Sequence, residues 1–316
     1  MCFISRAGIR GIMIEERTSS SCPLRIGTRP SPLALKQVEA LVKLLPLDIE
    51  YEIVKISCSG DKQPEIIQDL DFYKQIEREL VSQSIDIGVH SAKDLSCSLP
   101  EELCIGAYLK RDNPIDVLVY RNSSSLQPNC VIGTTSERRK AFIKSMYPNC
   151  ILKDIRGNIQ TRLDKLNSGK YDAIILSLAA LTRLGLKETT TFEPLSHLGW
   201  SPGQGAIAIE CRKTDAETLN ILSRINHRLT SLQVTAEKAV LKAIGGGCNA
   251  PLAVTSSIDE GNQLFSLEAS YYSSELKTFI RHKAHSFNST QTSSIGKTLG
   301  ERILFSLQQK FTLSQG

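Results

Sequence analysis

From about Leu24 onward, apolar and polar positions divide the chain into short strands alternating with amphipathic helices. Arg25-Ile26-Gly27-Thr28-Arg29 predicts a strand running into a loop, and Ser31-Pro32 reads as a helix cap followed by proline at the first helical position. Leu35, Val38, Leu41 and Leu45 recur at helical spacing, with Pro46 as the stop. Ile49, Tyr51 and Ile53 alternate with acidic residues and predict a half-buried strand. Residues 58–71 are polar, carry Gly60 and Pro64, and predict a loop before a helix over 72–80. A strand over 85–90 then delivers His90-Ser91-Ala92-Lys93-Asp94 into a loop, and another is expected over 115–120.

The second segment repeats this logic. Val131-Ile132-Gly133 predicts a strand, Ser136 a cap, and 137–146 a helix with Arg138 and Arg139 in its first turn. Ile159, Leu163 and Leu166 mark the buried face of a helix over 159–166, and 172–178 is a strongly apolar strand before a helix over 179–186. Ser201-Pro202-Gly203-Gln204-Gly205 is a tight loop leading to a strand over 206–211. After a helix over 228–243, strands over 252–258, 263–272 and 276–282 predict an antiparallel meander, covered by a last helix over 294–309. Gly296-Lys297-Thr298 resembles the end of a phosphate loop, but Gln291 stands where that motif needs glycine.

Two α/β lobes followed by a small α+β domain are therefore expected. The predicted division is an irregular extension over 1–22, lobe one over 23–110 with a return segment 204–224, lobe two over 111–203, and a C-terminal domain over 225–316. A chain of 316 residues suits more than one core, and 41% hydrophobic with 22% charged residues describes a soluble globular protein. No apolar run is long enough to span a bilayer. The formal charge of +5 suits small anions, and without a dense basic block or an aromatic stripe nucleic-acid binding is not expected. Nine scattered cysteines without a C-x-x-C pair predict reduced thiols and a cytoplasmic protein, and no metal is expected because the five histidines do not cluster with them. Residues 1–22 carry Arg6, Arg10, Arg17 and serines, as a plastid or other organellar transit peptide would. Glu15 and Glu16 favour a plain extension or a start at Met13 instead.

Three features carry candidate chemistry. Ile244-Gly245-Gly246-Gly247-Cys248-Asn249-Ala250-Pro251 clears side chains from around one thiol, which suits either a covalent attachment or an ordinary buried cysteine in a glycine-rich loop. Arg29, Arg138, Arg139, Arg156, Arg162 and Arg183 all fall in or beside strand-to-helix junctions, where planar guanidiniums bind carboxylates or phosphates. Each alone reads equally as a surface residue or a local ion pair. Lys93 and Asp94 sit at a strand end, where ligands bind in open α/β sheets. There Asp94 can stabilise a developing cation and move a proton, or simply cap a turn.

Taken together, the ordered motifs resemble the porphobilinogen deaminase (hydroxymethylbilane synthase) family. They are Arg25-Ile-Gly-Thr-Arg29-Pro-Ser31-Pro-Leu-Ala-Leu, His90-Ser-Ala-Lys93-Asp94, Gly133-Thr-Thr-Ser136-Glu-Arg138-Arg139, Ile155-Arg156-Gly-Asn-Ile-Gln-Thr-Arg162-Leu, Leu181-Thr-Arg183-Leu-Gly, Pro202-Gly-Gln-Gly and Gly246-Gly-Cys248-Asn-Ala-Pro. The resemblance implies two periplasmic-binding-protein-like (type II) lobes plus a cofactor-attachment domain, and a monomer. It implies a dipyrromethane joined by a thioether to Cys248. On it, four porphobilinogen molecules are condensed head to tail with loss of ammonia, and hydroxymethylbilane is released. Asp94 matches the catalytic carboxylate. Lys93, Ser136, Arg138, Arg139 and Asp94 match cofactor-binding positions, and Arg29, Ser31, Arg156, Arg162, Arg183 and Phe72 match substrate-binding ones. The family's mobile loop ends in Lys-Gly-Leu-Phe, whereas this chain has Gln68-Asp69-Leu70-Asp71-Phe72 and lacks an arginine before Gly60-Asp61. That departure keeps a second expectation open, a low-activity or non-catalytic small-anion binder using the same cleft.

Overall fold

The computed structural model describes residues 23–57, 72–121, 126–247, 249–261, 263–287 and 291–315. The predicted lid loop over 58–71, the extension over 1–22 and Cys248 itself lie outside the described residues. The first sheet is built from β1 (Leu24–Thr28), β2 (Tyr51–Lys55), β3 (Ile87–Ser91), β4 (Leu103–Tyr108) and a late strand, Ile207–Arg212, in the order β2-β1-β3-(Ile207–Arg212)-β4. β1, β2 and β3 are parallel, and the late strand runs antiparallel between β3 and β4.

The second sheet mirrors this plan. It holds β5 (Asp116–Tyr120), β6 (Val131–Gly133), β7 (Ile151–Lys153), β8 (Ala173–Ser177) and β9 (Phe192–Pro194), ordered β7-β6-β8-β5-β9. Here β5, arriving from the first sheet, is the antiparallel member between β8 and β9. The Ile207–Arg212 strand, β10, is its counterpart on the way back. Each sheet thus receives one strand from a crossing, so the two crossings join the lobes side by side.

Helices cover both faces of each sheet, as parallel strands require. In the first lobe α1 (Pro32–Val42) brings Val38 and Leu41 onto Ile26, Ile87 and Ile209, together with Leu222 of α6 (Ala216–Ile225). On the opposite face α2 (Phe72–Val81) seals Ile76 and Leu80 against Ile56, Ile85 and Leu103. In the second lobe Phe142 and Ile143 of α3 (Glu137–Met146) pack on Leu118, Ile132 and Ile175. The other face meets Leu166 of α4 (Ile159–Asn167) and Leu181 of α5 (Leu178–Arg183).

The C-terminal domain is a meander of β11 (Leu252–Asp259), β12 (Leu264–Ser273) and β13 (Thr278–Ser286), packed on α7 (Arg228–Ala243) and α8 (Thr292–Gln315). Gly296 of α8 explains the phosphate-loop look-alike. A Cβ there would lie 2.1 Å from the Ala236 carbonyl oxygen, so this glycine lets α8 approach α7 closely. Trp200 and Val254 exchange two backbone hydrogen bonds of 2.8 Å, joining the end of lobe two to β11.

Two expectations are corrected. The first helix ends at Val42 rather than running to Pro46, because the chain tightens into i→i−3 bonds, Leu44 N–H to the Leu41 carbonyl at 2.9 Å and Leu45 N–H to that of Val42 at 3.2 Å. β2 turns its predicted inward face outward. Tyr51 and Ile53 are exposed, while Val54 and Ile56 pack on the core, because this edge strand meets α2 on its other face. The short strands β4, β7 and β9 and the helix α6 are further elements that the apolar periodicity did not single out.

Candidate active site

The site begins at β3, whose end turns into a 3-10 helix over Ala92–Asp94. The turn is built into the first lobe: Ala92 N–H donates to the Ala206 carbonyl at 3.0 Å, and Gln37 Nε2 donates to Ser91 Oγ at 2.7 Å. Behind it runs the predicted tight loop. Gly203 sits at φ +81°, and a Cβ there would lie 3.0 Å from Ala92 C and 3.1 Å from Lys93 N, so a side chain would push the turn out of place. Asp94 is exposed and Lys93 half-buried.

Lys93 links this turn to the second lobe. Burial lowers its ammonium below the ordinary lysine range; Asp94 opposes this, and the nearby charges of Arg139 and Arg162 add to it. Arg162 is likewise pushed down to about 10 by burial and by Arg139. Residues from both lobes therefore share one electrostatic neighbourhood. Burial penalises the charges of Lys93 and Arg162, as expected of a site that binds carboxylates. A lysine whose folded pKa is depressed binds fewer protons folded than unfolded, so its charge costs stability at neutral pH and that cost fades as pH rises. Lys93→Gln is accordingly expected to raise the melting temperature. Thermal melts in a Cys248→Ala background, without added anions, check this; a lower melting temperature would contradict it.

The wall behind Lys93 is a buried carboxylate hub. Asp116 opens β5 and is fully buried. Arg139 Nη2 donates to its Oδ1 at 2.7 Å and Arg139 Nε to its Oδ2 at 3.2 Å, while Arg138 Nη2 reaches Oδ2 at 2.6 Å. Gln204 Nε2 adds a bond to Oδ1 at 2.8 Å. Burial works to raise the Asp116 pKa, but the two guanidiniums outweigh it and hold the carboxyl far below the usual range. Arg138 also donates to the Gly199 carbonyl and Arg139 to that of Ile175. Both arginines are buried and frame the site from behind; their charges, more than open forks, face the cleft.

The remaining predicted residues fall into two groups. Arg29 follows β1, and Arg156 lies in the loop before α4; both are half-buried. Arg162, also half-buried, is steadied by a 2.8 Å bond from Nε to the Gly157 carbonyl. Ser31 and Ser136 cap α1 and α3, accepting from Ala34 N–H at 3.3 Å and Arg139 N–H at 3.4 Å, each cap contributing about 1 kcal/mol. Arg183 is committed to the crossings: Nε donates to Asp112 Oδ2 at 2.7 Å and Nη2 to the Gly205 carbonyl at 2.6 Å. Phe72 is the first residue of α2.

The structure adds a junction that sequence reading missed. Glu237, on α7 and wholly buried, accepts from Arg111 Nη1 and Nη2 at 2.7 and 2.9 Å. It also accepts from Gly203 N–H at 2.8 Å, Trp200 Nε1 at 3.0 Å and Ser256 Oγ at 2.6 Å. Burial works to raise its pKa, yet Arg111, Ser256 and the Gly203 amide hold it below the ordinary value. This one carboxylate ties both lobe crossings to the C-terminal domain. A signal was present, since Glu237 interrupts the apolar stripe of Val234, Val240 and Leu241.

A carboxylate-rich covalent group fits these residues. The cleft offers cations weakened by burial, and before Cys248 a Cβ on Gly245 or Gly247 would meet nothing within 4 Å, whereas one on Gly246 would lie 2.9 Å from the Ala250 Cβ, so this middle glycine packs on its own loop. Among the described residues no cluster of His, Cys, Asp and Glu has the makings of a metal site, and no helix is long and apolar enough to cross a membrane.

Comparison with known proteins bears on the same residues. The family description "Porphobilinogen deaminase, dipyromethane cofactor binding domain" matches residues 24–220, and "Porphobilinogen deaminase, C-terminal domain" matches 231–304. A porphobilinogen deaminase of Coxiella burnetii is 37% identical over 303 residues, covering 92% of this chain and 96% of that protein. Those of Syntrophomonas wolfei and Nostoc sp. are 42% and 39% identical, covering 76% and 78% of this chain and 82% and 81% of theirs. Among solved structures, the periplasmic VFT2 domain of Bordetella pertussis BvgS aligns with a TM-score of 0.40 at 12% identity, over 68% of this chain and 92% of that one.

Proposed function

Because the chain belongs to the porphobilinogen deaminase family, we propose that it condenses four porphobilinogen molecules head to tail, losing one ammonia for each, and that one water then cleaves the product from the enzyme as linear hydroxymethylbilane. The observation that carries this reading is the 203–204 loop, in which Gly203 packs behind Ala92 and Lys93 of one lobe while Gln204 bonds the Asp116 carboxylate that holds Arg138 and Arg139 of the other. Every pyrrole unit brings two carboxylates, so a chain growing in the cleft needs fixed cations along its path.

Cys248 is the proposed attachment point of a dipyrromethane through a thioether. When bound, that group supplies the pyrrole carbon to which the first substrate is joined. Lys93 and Arg162 bind the acetate and propionate groups directly, with Arg29, Arg156, Ser31 and Ser136 extending the contact. Phe72 is assigned to substrate as well. Arg138 and Arg139 set the positive field from behind, and Arg183 holds the crossings that bring the lobes together. Asp94 is exposed to the cleft, so its carboxylate can lie against the pyrrole N–H of the reacting unit. There it stabilises the positive charge that develops as ammonia leaves.

The sheet memberships support lobe one over 23–110 plus 204–224, lobe two over 111–203 and the attachment domain over 225–316. Cys97, Cys104, Cys130, Cys150 and Cys211 are free thiols, which favours a cytoplasmic protein. One chain supplies the residues of both cleft walls, which favours a monomer. The test is incubation of purified protein with porphobilinogen. Steady release of one ammonia per molecule consumed supports catalysis, whereas reversible binding with no ammonia would establish the small-anion binder instead.

A further inference from the structure

The Ala92–Asp94 turn is gripped at its start by the first lobe, through Ala206 and Gln37. Its other end is met from a different domain. Lys238 Nζ, on α7, donates to the carbonyl oxygen of Leu95 at 2.7 Å, and Leu95 is the buried residue directly after Asp94. Lys238 is half-buried and pairs with no carboxylate among the described residues. A short hydrogen bond from an ammonium is roughly twice as strong as a neutral one, and here it acts on the backbone of one particular turn.

Lys238 also follows Glu237, and consecutive residues point about 100° apart around a helix. One reaches the lobe crossings and the other the turn that presents Asp94. The same helix ends at Ala243 and runs on through Gly245-Gly246-Gly247 to Cys248. We propose that Lys238 is a positioning residue for Asp94, fixing the height of the catalytic turn against the helix that leads to Cys248. The domain that carries the attachment cysteine then also sets where the carboxylate stands. The inference rests on Asp94 being the catalytic carboxylate.

The experiment compares Lys238→Met, which keeps an apolar stem but no donor, with Lys238→Arg, which keeps a donor. Misplacing a catalytic group by about 1 Å costs up to 100-fold. Lys238→Met should therefore lower kcat about 10- to 100-fold with KM changed less than about two-fold, and Lys238→Arg should recover most of the loss. Dipyrromethane content by intact mass should match the parent in both. Combining Lys238→Met with Asp94→Asn should add little beyond Asp94→Asn alone, since the two act on one step. An unchanged kcat in Lys238→Met would overturn the proposal. So would a loss that Arg does not rescue, or a loss that multiplies with that of Asp94→Asn. If Asp94→Asn alone keeps the parent turnover, the assignment of Asp94 fails, and that result is read independently of Lys238.

Discussion

Replacing Asp94 by Asn is expected to lower turnover by about 10²- to 10⁴-fold, the range over which a placed acid–base group contributes. The amide is nearly isosteric and can still accept a hydrogen bond from a pyrrole N–H, but it carries no charge and takes up no proton at working pH. If Asp94 acts by offsetting positive charge as ammonia leaves, the loss falls on kcat more than on KM, because the charge exists only late in the reaction. Single-turnover ammonia release measures the effect, and activity within ten-fold of the parent would mean that another group stabilises the cation.

The second large effect concerns Asp116 and is one of stability. Asp116→Asn removes the charge that three side chains converge upon, leaving the buried guanidiniums of Arg138 and Arg139 without a counter-ion. Breaking a buried pair in this way costs about 3–5 kcal/mol, because the partner charges cannot be rehydrated. The sign with pH follows from the depressed Asp116 carboxyl. The stabilisation is fully present above the ordinary carboxylate pKa of about 4 and is lost only as pH falls below that value toward the folded pKa. The parent should therefore lose this contribution in acid, while the Asn variant lacks it throughout. Urea titrations at neutral pH and in acid check both statements, and a variant as stable as the parent at pH 7 would show that the arginines find other partners.

These two residues also mark what was legible beforehand. Asp94 could be found because it follows a strand end beside Lys93 in a sequence-local motif, and the arginines because they recur at strand-to-helix junctions. The supersecondary units followed from periodicity, the start of α3 from the Ser136 cap, and the end of α7 from the glycine triplet that follows it. Asp116 and Glu237 could not be assigned a role in this way. Each is a lone acid on an apolar element, and its partners Arg138, Gln204 and Arg111 are far away in sequence. Which acid or carbonyl each arginine is held by is likewise a tertiary property. Arg138 and Arg183 look alike along the chain, yet one sits on Asp116 and the other on Asp112 and Gly205. The outward turn of Tyr51 and Ile53 has the same origin, because alternation gives a period but not which face a neighbouring helix covers.

The thiol in the glycine-flanked segment is where the growing pyrrole chain is anchored in this reading. Intact-mass measurement of protein purified from cells that make porphobilinogen tests it most directly. The parent chain should carry an added mass equal to one dipyrromethane, absent from Cys248→Ala, with the peptide containing Cys248 as the modified one. An unmodified Cys248 in protein so prepared would contradict the account.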